Sequence, residues 1–119
     1  MKPTLVIGAS NRPEKYAYKA VKSLLNHGHS VFAFGRMKSQ IDGIEIENEW
    51  NPNWKVDTVT LYLNPQNQVE YFQKIIDLKP KRVIFNPGTE NEIFQEMLES
   101  NGISSEIACT LVLLSINEY

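Results

Sequence analysis

The residues best suited to chemistry stand near the start of the chain. The stretch "VIGASNRPEKYAYKAVKSLL", Val6 to Leu25, passes from apolar residues through a polar loop into a helical pattern. Gly8 lets the backbone turn tightly, and a following helix offers unpaired N–H groups and partial positive charge to an anion. Ser10 and Asn11, next to Ala9, add side-chain hydrogen bonds, Arg12 and Lys15 add charge, and Tyr16 opens the helix. The chemistry favoured by this set is the grip of a phosphate. The same residues also fit an ordinary strand-to-helix turn in which Ser10 or Asn11 caps the helix. Of the three glycines of the dinucleotide fingerprint only Gly8 is kept, with Ser10 and Pro13 at the other two places.

A second set follows in "FAFGRMK". A nucleotide fold that takes NAD usually has an acid here for the ribose hydroxyls. This chain has Arg36 and Lys38, and no carboxylate before Asp42. Cations at that point suit an extra phosphate on the ribose, as in NADP or coenzyme A. A solvated basic loop is the alternative. "YLNPQ" and "FNPGTENE" repeat a further theme, in which a strand ends, Asn-Pro follows and a helix begins. Asn64 and Asn86 offer amides either to a ligand or to helix caps. Pro65 suits a first helical turn through its fixed φ, and Gly88 with Asn86 suits the lining of a cleft.

No catalytic set emerges. His27 and His29 flank Gly28 at a helix end, where histidine commonly meets the last carbonyls. Cys109 is the only cysteine, so there is neither an intrachain disulfide nor a cysteine-rich metal site. No activating base stands near it in sequence, and the expectation is an inert thiol. Tyr16, Tyr18, Trp50 and Trp54 have the surface to stack on an adenine, but also to fill a core.

These residues need elements to position them. Thr4–Ile7 reads as a buried strand, and Ala17, Ala20, Val21, Leu24 and Leu25 recur at helical spacing up to Gly28. "SVFAF", "TVTLYL", "RVIFN" and "SSEIA" supply four more strands. The stretch from Gly35 to Gln40 reads as a loop, and "IDGIEIENEWNPNW" as a brief extended segment and a loop. Asn64 with Pro65 predicts a helix start whose buried stripe is Val69, Phe72, Ile75 and Ile76. Thr89 and Glu92 have capping-box spacing before Ile93, Phe94, Met97 and Leu98. "TLVLL" fits a short buried helix or an extended tail. Alternating strands and helices predict a parallel sheet covered on both faces, with the loops at Gly8, Gly35, Asn64 and Pro87 along one edge.

The 119 residues suffice for one domain. A formal charge of −2 supplies no global field for nucleic acid, and no apolar run approaches membrane-spanning length. With no signal-peptide pattern at the start, the expectation is a cytoplasmic protein that binds neither nucleic acid nor membrane.

The order of these residues resembles a known family. "VIGASNRPEKYAYKAVKSLLNHGHSVFAF" is similar to the opening of the small, single-domain coenzyme A-binding proteins, related in fold to the nucleotide-binding domain of the succinyl-CoA synthetase α subunit. The likeness runs through "YLNPQ" and "FNPGTENE" to the closing "ACTLVLLSINEY". It implies a Rossmann-like α/β domain over residues 1–119, with a doubly wound, five-stranded parallel sheet in three α/β/α layers. CoA or an acyl-CoA would lie across the carboxyl ends of the strands. Gly8 to Asn11 would meet the pyrophosphate and nearby ribose, and Arg36 and Lys38 would occupy the loop after the second strand. Asn64, Pro65, Asn86 and Gly88 would line the rest of the cleft. Here "GRMK" lacks the Asn-Pro typical of that loop, and Cys109-Thr110 stands where Cys-Pro is common. The synthetase's phosphohistidine segment and partner domain have no counterpart, which implies a binding module without ligase chemistry. Two alternatives stay open. One is an NADP-binding oxidoreductase whose nicotinamide pocket is completed by a homo-oligomer. The other is a regulatory module whose CoA occupancy controls a protein partner.

Overall fold

Every residue of Thr4–Ile7 is buried, and this strand, β1, forms the middle of a seven-stranded sheet. The computed structural model describes all 119 residues. β1 leads into α1 (Tyr16–Asn26), then β2 (Val31–Phe34), β3 (Ser39–Ile41) and β4 (Ile44–Glu47). β5 (Thr58–Leu61) is followed by the short α2 (Pro65–Gln68), which passes through a 3-10 turn into α3 (Phe72–Leu78). β6 (Arg82–Phe85), α4 (Glu92–Ser100), β7 (Ser104–Ile107) and α5 (Thr110–Ser115) complete the chain. The strand order is β3-β4-β2-β1-β5-β6-β7. All neighbours run parallel except β3 and β4.

Side chains alternate between the two faces, as strand geometry requires. Leu5, Ile7, Val59, Leu61, Val83 and Phe85 pack with Ile75 of α3 and with Phe94 and Leu98 of α4. Val6 and Ala33 face the other way, toward Ala17, Val21 and Leu24 of α1 and Leu114 of α5. The result is a Rossmann-like α/β fold with helices on both faces. Chain direction reverses between β1 and β5, so the loops leaving β1, β2, β5 and β6 meet at the carboxyl edge around that point.

The sheet is not five-stranded. The expected loop and extended segment form a hairpin instead, in which Gln40 pairs with Glu45 and Ile41 with Ile44. Its turn is Asp42-Gly43, with φ of 47° and 84°. Two positive φ values match the twist of a tight hairpin, which is why Asp-Gly is favoured there. Lys22 Nζ reaches Asp42 Oδ2 at 2.7 Å and ties the turn to α1. The hairpin stands in place of a crossover helix between β2 and β4.

Three smaller expectations shift. Asn64 does cap α2, its Oδ1 accepting from Asn67 N–H at 2.9 Å with Pro65 in the first turn. The 3-10 turn then changes the helical phase, so Val69 faces solvent while Ile75 and Ile76 are buried. The cap of α4 is Asn91, whose Oδ1 accepts from Phe94 N–H, and Thr89 Oγ1 donates to the Asn86 carbonyl at 2.7 Å. With the helix starting at Glu92, Ile93 lies on the outer side and is exposed, while Phe94 and Leu98 carry the buried face.

Candidate functional site

Two glycines let the strand ends close together. Gly8 has φ of 91°. A Cβ there would stand 2.9 Å from the carbonyl carbon and oxygen of Tyr62. A Cβ on Gly35 would overlap the Ala9 carbonyl. The N–H groups of Gly8 and Ala9 both donate to Phe34 O at 2.9 Å, and Tyr62 N–H donates to Ile7 O at 2.8 Å. The ends of β1, β2 and β5 are thereby drawn around one spot.

At that spot a cavity of about 390 Å³ is walled by the loop Gly8 to Arg12, by Lys15 and by Arg36. Lys15 is the N-cap residue of α1, yet no side chain caps this helix and its first turn carries no acid. Ser10 Oγ accepts instead from Arg12 N–H at 3.1 Å. Arg12 pairs with Glu14 at 3.2 Å, both well exposed. Lys15 and Arg36 form no ion pair. Lys15, next to the uncapped start of α1, and Arg36 thus leave positive charge at the cavity wall.

A second cavity, about 300 Å³, opens on the β2 side and shares Gly8, Arg36 and Leu63 with the first. Phe34 and Tyr71 bound it, with the polar groups of Asn48, Asn67 and Glu70 at its rim. Behind it Trp50 stacks on Tyr71 at 5.7 Å, and Phe34 makes edge contacts with Trp50, Trp54 and Tyr71. The tryptophans thus build the wall from behind. The Phe34 and Tyr71 rings at its edge suit contact with a heteroaromatic ring.

A third cavity, about 250 Å³, lies on the β5 and β6 side. Tyr62 lines both it and the basic cavity. Its other walls are Tyr16, Asn86, Pro87, Cys109 and Leu111. The Asn86 side chain is buried and fully engaged. Nδ2 donates to Thr60 Oγ1 and to the Leu61 carbonyl, and Oδ1 accepts from Thr110 N–H. Asn86 therefore pins β5 and α5 to β6 and gives the cavity a firm floor. Burial pushes the Tyr62 phenol well above its ordinary range, and the neighbouring Cys109 adds to that shift.

Of the residues singled out from sequence, Gly8, Ala9, Ser10, Asn11, Arg12, Lys15 and Arg36 come together in the basic cavity, and Tyr16 and Asn86 in the third. Lys38 is exposed beyond them, and Asn64 and Pro65 start α2. Gly88, with φ of 90°, donates its N–H to Glu90 Oε1 at 2.8 Å. None of these four lines the three cavities. Tyr62, Leu63 and Tyr71 were not singled out from sequence. Their nearness to strand and helix ends is the one signal that marks them. His27 Nδ1 meets Ser23 O at 2.7 Å and His29 Nδ1 accepts from Lys2 N–H at 2.9 Å, so both histidines serve the fold. No three His, Cys, Asp or Glu side chains cluster closely enough to hold a metal ion. No helix is long and apolar enough to cross a membrane.

Residues 2–115 match the model of the CoA binding domain. The chain belongs to that family. A crystal structure of an uncharacterized protein is 51% identical, with a TM-score of 0.97 over 100% of this chain and 98% of its own. A protein from Thermus thermophilus has a TM-score of 0.84 at 19% identity, over 99% of this chain and 90% of its own. The dinucleotide forming acetyl-coenzyme A synthetase 1 of Ca. Korarchaeum cryptofilum, in complex with phosphate and ADP, has a TM-score of 0.70 at 18% identity. That likeness covers 91% of this CoA-binding domain and 25% of the synthetase. The last two similarities are of fold. No curated protein is similar enough to match.

Proposed function

We propose that residues 1–119 act as one domain that binds coenzyme A or an acyl-CoA across the carboxyl ends of β2, β1, β5 and β6, as a binding module without ligase chemistry of its own. The observation that carries this reading is the order of the three cavities. Gly8, Arg36 and Leu63 join the aromatic-edged cavity to the basic one, and Tyr62 joins the basic one to the apolar one. CoA has the same order of chemistry: adenine, a phosphorylated ribose and pyrophosphate, then a pantetheine arm ending in a thiol. Adenine takes the cavity bounded by Phe34 and Tyr71. The ribose phosphate meets Arg36. The pyrophosphate rests on the Gly8–Asn11 loop and the uncapped end of α1, with Lys15 beside it. The pantetheine arm passes Tyr62. NADP shares the first two parts, but its nicotinamide end carries an amide and a second ribose that the apolar third cavity fits poorly.

Thermal unfolding with CoA, NADP and NAD tests the reading. A ligand that binds only the native state, present at about a hundred times its dissociation constant, adds roughly 2.7 kcal/mol. CoA is expected to raise the midpoint most. A rise with NADP and none with CoA would overturn the assignment. Incubation with ATP, a carboxylic acid and CoA is expected to give no acyl-CoA, and its formation would remove the binding-module reading.

A further inference from the structure

We infer that the third cavity is an acyl pocket for a short, uncharged aliphatic chain, so that the preferred ligand is a short-chain acyl-CoA thioester and not free CoA. The inference rests on the CoA reading above, and three features of the cavity carry it further. Its position is the first. The cavity begins where the basic one ends, at Tyr62, on the opposite side of β1 from Arg36. A ligand anchored by its phosphates at Gly8 and Arg36 thus delivers its sulfur end here.

Its chemistry is the second. Pro87, Leu111, the Cys109 side chain and the rings of Tyr16 and Tyr62 leave an apolar lining without a single charged group. The one amide, on Asn86, has its hydrogen bonds taken by Thr60, Leu61 and Thr110 and offers little to an incoming polar group. An acyl group that ends in a carboxylate, such as succinyl, would lose water here and find no cation, which is costly. A methylene chain loses nothing by leaving water.

Its size is the third. The volume of about 250 Å³ exceeds the roughly 150 Å³ apolar cavity that holds a benzene ring. A butyryl or hexanoyl tail fits that space, and a palmitoyl tail does not. Tyr16 is largely exposed and forms the rim, so the pocket is open to an arriving chain.

Titration calorimetry of the whole chain with CoA and its acetyl, butyryl, hexanoyl, palmitoyl and succinyl thioesters tests this. Affinity is expected to rise from acetyl to butyryl by about fourfold per added methylene and to level off by hexanoyl. Succinyl-CoA is expected to bind at least tenfold more weakly than butyryl-CoA. Leu111→Trp, which fills the space, should abolish the gain from butyryl and weaken butyryl-CoA by more than it weakens CoA itself. Cys109→Ser should keep most of the gain, because the thiol serves as wall. Equal affinity for CoA and all its thioesters would overturn the acyl pocket and leave the CoA reading standing. Tighter binding of succinyl-CoA than of butyryl-CoA would overturn it too. Failure of every CoA compound to bind would overturn both readings together.

Discussion

The main chain of Tyr62 passes so close to Gly8 that a methyl group on Gly8 would stand 2.9 Å from the Tyr62 carbonyl carbon and oxygen. Gly8 also holds φ of 91°, which L-residues avoid. Gly8→Ala therefore combines steric overlap with backbone strain, and is expected to cost about 3 kcal/mol. For a chain of this length that is a fall of roughly 10 °C in the unfolding midpoint. Gly88→Ala is the control. Its φ is 90° but nothing stands within 4 Å, so it should cost only about 1 kcal/mol. Similar losses in the two variants would remove the close approach as the reason for glycine at position 8.

Arg36 and Lys38 occupy different places. Arg36 walls both the aromatic-edged and the basic cavity, whereas Lys38 is exposed and walls neither. A guanidinium grips a phosphate with two hydrogen bonds, and a well-formed charge-assisted bond contributes roughly 1.5–3 kcal/mol. Exposure and salt reduce this, so CoA is expected to bind about tenfold more tightly than dephospho-CoA. Arg36→Ala should erase most of that preference and Lys38→Ala should leave it. Calorimetry with both ligands on both variants gives the answer. Equal weakening toward the two ligands in Arg36→Ala would move the guanidinium to the pyrophosphate.

Asn86 makes three hydrogen bonds from a buried side chain. Removing the amide strands the Thr110 N–H and the Leu61 carbonyl inside the protein. Asn86→Ala is expected to cost about 3 kcal/mol, because each buried orphan costs roughly 1–3. Urea unfolding measures it. A loss below about 1 kcal/mol would mean that water replaces the amide through the neighbouring cavity.

His29 accepts a hydrogen bond at Nδ1 from the Lys2 N–H, which only the neutral ring can do. Burial, with the nearby positive charges of the N-terminus, His27, Lys2 and Arg82, lowers its pKa from the ordinary 6.5. Below pH 6.5 the unfolded chain therefore takes up a proton that the folded chain resists, and stability falls as pH drops toward the folded pKa. Well above pH 6.5 both states are neutral and the group has no effect. Unfolding midpoints between pH 7.5 and 5.5 should decline in the parent and decline less in His29→Asn. Parallel slopes would assign the decline to other groups.

Much of the architecture was legible because apolar runs ending in glycine or Asn-Pro have one reading, as Thr4–Gly8 and Thr58–Pro65 show. The hairpin was not, although Asp42-Gly43 between Ile41 and Ile44 carried its signal. Its strands are short and half-exposed, so the alternation that marks a strand is faint. The 3-10 turn at Val69–Tyr71 has no signature in the residue types, and it decided which apolar side chains of that segment are buried. The gathering of Gly8 to Arg12 with Arg36 at one cavity was legible in the residue types and the alternation of strand and helix. Tyr62, Leu63 and Tyr71 were not, because an aromatic or aliphatic residue that walls a ligand looks the same in sequence as one that fills a core. Only the register, Leu61 against Phe85 and Ile7, places Tyr62 at the edge.

The junction of β1 and β5, where Thr4 meets Thr58, is also where two stretches of chain are sewn together. Thr4 pairs with Val31 on one side and with Thr58 on the other, so the β1–β5 pairing closes a loop twice as long as the β1–β2 pairing. The CoA compound proposed above, spanning Arg36 on one side and Cys109 on the other, would bridge that seam. Its grip is lost as soon as either side lets go. Occupancy therefore makes unfolding more cooperative, and amide protons in β2 and β6 should gain protection by the same amount on binding, however far each stands from the molecule bound.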